Sequence, residues 1–246
     1  MKVAFLGATR GMGRALARLM AERGDHLFLL GRNAEDLTKS ARDLETRAGN
    51  DTRVETAHCD LDSPDSFATA LGAAESALGG LDAVVITAGL FASQEELEND
   101  PAKTRRLLDV DFARTVEFCE EARRRLLAGG GGTLCVFSSV AGDRGRKPVV
   151  LYGAAKAGLS AYLEGLDHKF RGEGLKTVCV KPGFVKTGMT AGLDPPPFAG
   201  EPVPVAKRVL RAIDKGTPVV YIPGIWRWIL LVIRCLPRAV MRRISF

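Results

Sequence analysis

Short apolar runs recur along the chain, separated by longer stretches whose apolar residues return every three to four positions. The runs at 3–6, 26–30, 54–58, 83–86, 133–137, 177–180 and 219–222 predict strands. Several are apolar almost throughout, the pattern of strands covered on both faces. The intervening stretches 11–23, 34–48, 63–78, 101–127, 151–170 and 204–215 predict helices. Ser63-Pro64 and Asp100-Pro101 have the form of an N-cap followed by proline in the first helical turn. Gly129 to Gly132 reads as a loop entering the fifth strand, not as a linker. Strand and helix alternating in this way predict an α/β fold: one doubly wound parallel sheet, Rossmann-like, with about seven strands and helices on both faces. The domain is expected over residues 1–224, followed by a basic amphipathic tail at 225–246.

Composition adds exclusions. A chain of 246 residues with 46% hydrophobic and 26% charged residues fits a single packed domain and shows no low-complexity stretch. Met1 leads almost directly into the first apolar run, so no cleavable leader is expected and the location is expected to be cytoplasmic. The five cysteines are scattered without CxxC spacing, and the three histidines form no metal-gripping pattern, so no metal is expected. The net charge of +6 is local: between Tyr221 and Phe246 lie Arg227, Arg234, Arg238, Arg242 and Arg243 and no acid, which leaves the preceding body at +1. The body therefore carries no basic face for nucleic acid.

Candidate chemistry begins at Gly7-Ala8-Thr9-Arg10-Gly11-Met12-Gly13, after the first strand and opening the first helix. Gly7 permits the turn, Gly11 lets backbone amides approach a pyrophosphate, and Gly13 allows close helix packing, while the helix N-terminus favours phosphate charge. An NAD site places an acid after the second strand, but here Gly31 stands there, followed by Arg32. Arg32 and Arg10 would suit a ribose 2′-phosphate, pointing to NADP(H) over NAD(H); the other reading is two solvated surface arginines. Farther along, Lys156 follows Tyr152 by one helical turn, and Ser139 ends the fifth strand. An ammonium beside a phenol favours the phenolate, and the serine could hold a reacting oxygen.

With these features in this order, the sequence resembles the short-chain dehydrogenase/reductase family, in its short single-domain branch, over roughly residues 2–221. The resemblance extends to Asp60 and Leu61 at the adenine, Thr87-Ala88-Gly89 where the family has Asn-Ala-Gly, and Pro182-Gly183, Val185 and Thr187 at the nicotinamide end. It implies that Ser139, Tyr152 and Lys156 are the catalytic set, with Ser139 preferred to Ser138 for its thirteen-residue offset from Tyr152. In the implied reduction Ser139 polarises a carbonyl oxygen and Tyr152 protonates it, while Lys156 tunes Tyr152 and binds the nicotinamide ribose. The family's catalytic asparagine aligns with Asp111, a departure expected to preserve the proton relay but raise the Tyr152 pKa.

Leu90, Phe91, Val140, Phe184, Met189, Leu193 and Phe198, with the stiff Pro195-Pro196-Pro197, offer either an apolar substrate pocket or ordinary loop packing. In the tail, Trp226, Ile229, Leu230 and Ile233 follow helical spacing, with Arg227, Arg234 and Arg238 on another face. That pattern fits an interfacial helix on anionic lipid at the inner face of a membrane, or a helix packed on the body or a second subunit. The resemblance also implies a homodimer or homotetramer, for which Ala154, Ala157, Gly158 and Ala161 would permit close helix approach unless they pack on the sheet. The leading reading is an NADP(H)-dependent reductase of a small or lipid-like carbonyl. The alternatives are a membrane-associated reductase of a polyprenyl-phosphate-linked keto-sugar and a non-catalytic NADPH-binding regulator.

Overall fold

The computed structural model describes residues 1–49, 54–192, 194–196 and 198–244. Leu193, Pro197 and Phe246 lie outside the described residues. The strands are β1 (Lys2–Leu6), β2 (His26–Gly31), β3 (Glu55–His58), β4 (Ala83–Ile86), β5 (Gly132–Phe137), β6 (Leu175–Pro182) and β7 (Val219–Ile222). They form one parallel sheet in the order β3-β2-β1-β4-β5-β6-β7. The helices are α1 (Gly11–Glu22), α2 (Ala34–Ala48), α3 (Ser66–Leu78), α4 (Gln94–Asn99), α5 (Pro101–Leu108), α6 (Thr115–Ala128), α7 (Val150–Phe170), α8 (Pro202–Lys215), α9 (Ile225–Cys235) and α10 (Arg238–Met241).

Side chains alternate across the strands, so each buried strand supplies two cores. Val3 and Phe5 of β1 face α1, α2 and α8, where they meet Leu16, Met20, Leu44 and Val209. Ala4 and Leu6 face the opposite way, toward Leu71 of α3, Phe118 and Leu126 of α6 and Leu163 of α7. This two-sided burial explains why β1, β4 and β5 read as unbroken apolar runs. β3, at the sheet edge, is mostly exposed and polar, which suits an edge strand.

Three expectations about elements need correction. The segment 101–127 is not one helix: it runs as α5, widens into a π-helical turn at Asp109–Arg114, and continues as α6. There the Thr115 hydroxyl donates to the Val110 carbonyl at 2.6 Å, five residues back. Ser63-Pro64 starts a turn and not a helix; α3 begins at Ser66, whose hydroxyl donates to the Ser63 carbonyl. The tail's helical run stops at Cys235, and Arg238 opens the separate α10 after Pro237. By contrast, Asp100 caps α5 through the Lys103 amide with Pro101 in its first turn, as the sequence predicts.

The small residues of α7 are not all turned inward. Ala154 and Ala161 are exposed, and Gly158 lies under the partly exposed Phe112. Phe118, by contrast, is fully buried and meets Phe67 edge-on at 5.2 Å. Phe118→Ala should cost about 3–5 kcal/mol, read as a lowered urea midpoint with unchanged m-value; a loss below about 1 kcal/mol would contradict this packing.

Candidate active site

The strand order reverses between β1 and β4, and the crevice outside their carboxyl ends is where such sheets bind ligands. Gly7, just past β1, has φ of 97°, and a Cβ there would lie 2.6 Å from the Ala88 amide nitrogen after β4. A Cβ on Gly13 would collide with the Gly7 carbonyl. Thr87 latches the two turns together, its hydroxyl donating to the Gly7 carbonyl at 2.9 Å. The family's asparagine position is thus filled by a threonine with a definite structural task. Beyond this cradle α1 starts at Gly11, and its N-cap Arg10 places no side chain on the first amides. Those amides are free to face an anion, favoured by the helix dipole.

The cradle forms one end of a cleft of 580 Å³. Gly7, Thr9, Arg10, Gly11, Met12 and Gly13 line it with Arg32, Asp60, Leu61, Ala88, Gly89 and Thr187. Thr187 reaches across to within contact of Gly11. Asp60 folds its carboxylate onto the Asp62 amide at 3.1 Å. Asn33, Asp36, Asp62 and Arg106 of this cleft escaped the sequence reading. Asp36 pairs with Arg10 at 2.8 Å, Asn33 caps the Asp36 amide at 2.8 Å, and Arg106 holds Asp62 at 2.7 Å. An acid and its cap just beyond β2 were legible as the start of α2, but not as a cleft wall.

Next to the cleft, behind its wall residues Gly89 and Phe91, stand the titrating groups. Ser139 accepts the Ala141 amide at 3.1 Å, and its hydroxyl stands near enough to Tyr152 to favour the phenolate. Ser138 is committed elsewhere, donating to the Lys156 carbonyl at 3.0 Å and sharing a 2.7 Å bond with Ser160. The Lys156 ammonium sits 5.6 Å from the centre of the Tyr152 ring. Phe91 packs edge-on against that ring at 5.3 Å. The π-helical turn swings Asp111 inward, where it is wholly buried. One of its oxygens accepts the Leu90 amide at 2.7 Å, and the other lies 3.3 Å from Lys156 Nζ.

These charges set one another. Burial raises the Asp111 carboxyl above its ordinary range, against the Lys156 ammonium and the Leu90 amide, which favour the charged form. Burial works to lower Lys156, but Asp111 and Tyr152 outweigh it and its pKa is raised. Burial raises Tyr152 as well; Lys156 and the Ser139 hydroxyl oppose that rise, while Asp111 adds to it. The cluster can exchange a proton at the phenol beside a fixed positive charge.

Pro182 ends β6 and Gly183 follows it; Trp226 of α9 lies directly on Gly183 with its buried indole nitrogen lacking a hydrogen-bond partner among the described residues. Val185 turns its side chain into the core beside Val205 and Ile222. Val140 does not open onto a pocket: it is 5% exposed and packed under Leu230 and Ile233 of the tail. Met189 and Phe198 are exposed on the loop after β6.

The family model described as short chain dehydrogenase matches residues 2–196. The chain belongs to the short-chain dehydrogenase family. It is similar to an uncharacterized oxidoreductase of Mycobacterium tuberculosis, 33% identical over 241 residues covering 98% of this chain and 96% of that one. It is also similar to a cis-4-hydroxycyclohexanecarboxylate dehydrogenase of Sinomonas cyclohexanicum, 32% identical over 76% of this chain and 74% of that one. A short-chain type dehydrogenase/reductase from Mycobacterium ulcerans shares the fold, with a TM-score of 0.83 at 20% identity over 99% and 98% of the two chains. As a short-chain dehydrogenase the protein is an oxidoreductase of the kind that uses a nicotinamide cofactor. The glycine cradle, filled by any Cβ, and the open amides of α1 fit that group's pyrophosphate.

Asp111 adds to the upward shift of Tyr152, so its removal should move that titration down. Tyr162 and Tyr221 are also raised by burial, which keeps them out of the early part of a tyrosinate absorbance titration. Asp111→Asn should begin titrating at lower pH than the parent, with the early component absent from Tyr152→Phe; coincident curves would contradict the coupling.

Proposed function

We propose that this short-chain dehydrogenase interconverts a carbonyl and an alcohol with NADP(H), on a substrate with an apolar body. The observation that carries the proposal is the Tyr152 phenol set beside Ser139 and the Lys156 ammonium and packed on Phe91, a wall of the glycine-lined cleft. When bound, the nicotinamide supplies or accepts the hydride at the substrate carbon. The chain does the rest: Ser139 donates to the substrate oxygen, and Tyr152 gives that oxygen its proton or takes it back. Lys156 stays charged in its buried seat and keeps the phenol able to release the proton. Asp111, bridging Lys156 and the Leu90 amide, fixes the ammonium beside the ring. Phe91 against Tyr152 gives the substrate an apolar wall, in keeping with the cyclohexane ring in the name of the Sinomonas relative.

The preference for NADP(H) rests on Arg10 and Arg32 at the cleft and on Gly31, which leaves no carboxylate at the end of β2. The Arg10 side chain is 79% exposed, so its pair with Asp36 is weak and readily exchanged for a 2′-phosphate. Asp36 supports a second reading, in which its carboxylate accepts the ribose hydroxyls of NAD(H).

Two experiments test these assignments. Tyr152→Phe should lower turnover on a panel of ketones about 10²–10⁴-fold with NADPH affinity, read by its fluorescence, changed only a few-fold. Parent-like rates would remove Tyr152 from the chemistry. Arg10→Ala with Arg32→Ala should weaken NADPH roughly 10–100-fold and leave NADH unchanged. An equal loss for both cofactors, or none, would favour the Asp36 reading.

A further inference from the structure

Helix α9 is apolar on two sides. Its inner face, Trp226, Ile229, Leu230 and Ile233, packs on Val140 and Tyr221. Its outer face presents Ile225, Trp228, Leu231 and Val232, exposed by 42%, 61%, 54% and 63%. These four recur at spacings of three, three and one, and therefore form one continuous stripe. Arg227 and Arg234, seven residues apart, form a row along one edge of that stripe, and Arg238, Arg242 and Arg243 follow beyond it. An apolar stripe of this size on water calls for a partner.

The helix also stands beside the turns that follow β5 and β6. It covers Val140, which directly follows Ser139, and Trp226 lies on Gly183. Arg144, from the same turn as Val140, donates to the tail carbonyl of Leu236 at 2.8 Å. Met189 and Phe198, on the loop that leaves the same end of the neighbouring strand β6, add exposed apolar surface there.

We propose that the outer face of α9 seats the protein on an anionic lipid surface, with the catalytic mouth turned to carbonyl substrates carried in that lipid. The charge chooses the occupant: from Lys215 to Phe246 there is no Asp or Glu, and although Arg227 and Arg234 share a surface hollow with Asp143, Glu164 and Asp167, Arg238, Arg242 and Arg243 extend the basic row beyond it. Anionic headgroups supply the missing charge while Trp228, Leu231 and Val232 enter the acyl boundary. A second copy related by a two-fold axis would bring the same acid-free helix to the contact. No helix among the described residues is long and apolar enough to cross a membrane, so the contact is one of lying on the surface. The docking stands apart from the proposed function; the lipid-borne substrate rests on it.

The test is co-sedimentation of the full chain with vesicles of phosphatidylcholine alone or mixed with phosphatidylglycerol. Trp228→Glu with Leu231→Glu, and Arg227→Glu with Arg234→Glu, are compared with the parent. All four side chains are exposed, so melting and NADPH binding should be retained. Pelleting with the anionic vesicles only, lost by roughly tenfold or more in both variants and weakened by salt, supports the proposal. Absence of pelleting, or equal pelleting by the variants, overturns it. So do variants that change only the oligomer size, which would assign the face to a second copy. Reduction of a long-chain ketone held in the anionic vesicles should fall in the variants while reduction of a soluble ketone does not; equal loss of both overturns the substrate claim. Failure of the parent to bind NADPH would instead strike at the reductase reading.

Discussion

A parallel sheet buries both faces, and nearly everything else in this protein follows from that constraint. Its strands can be linked only by crossovers that cover the faces with helices. Every strand therefore ends at the same edge, and each turn from strand to helix comes out there. Gly7 after β1, Thr87 after β4, Ser139 after β5 and Gly183 after β6 are gathered at one edge by topology, although 176 residues separate the first from the last. The reversal between β1 and β4 opens the crevice, and only glycine at positions 7 and 13 lets the walls come close enough to serve a phosphate.

Within that edge the costly element is the buried ammonium of Lys156. A buried charge needs a partner, and this chain answers with a carboxylate where its family places an amide. The consequence reaches the phenol. An asparagine would leave the full field of Lys156 on Tyr152, whereas Asp111 takes part of it back. The π-helical turn carries the pair, because Asp111 lies within it and is wholly buried.

The sheet and the Ser139, Tyr152 and Lys156 set were legible because each leaves a local mark: apolar runs, a four-residue spacing, a glycine turn. The break at Asp109–Arg114 was not, since a π-bulge alters hydrogen bonding without altering the apolar period around it. Helix α4 was missed although Ser93 and Glu96 spell a capping box, because its six residues contain too few apolar positions to show a period. Asp36 and Arg106 reach the cleft only through tertiary placement. Val140 stayed open between pocket lining and packing for a similar reason: what covers an apolar residue beside Ser139 is settled only by a helix from the far end of the chain lying on top of it.

That same helix shows how the tail can matter to chemistry without supplying a reacting group. Tyr221 of β7 donates to Asp143 at 2.6 Å, and Lys181 of β6 holds the other oxygen of that carboxylate at 2.6 Å. The turn that follows Ser139 is therefore tied to two strands through Asp143 and to the tail through Val140 and Arg144. A displacement of α9 would have to move Val140 or uncover it, and Val140 is bonded directly to Ser139. The outer face of α9 thus belongs to a helix whose inner face packs on the turn that follows Ser139.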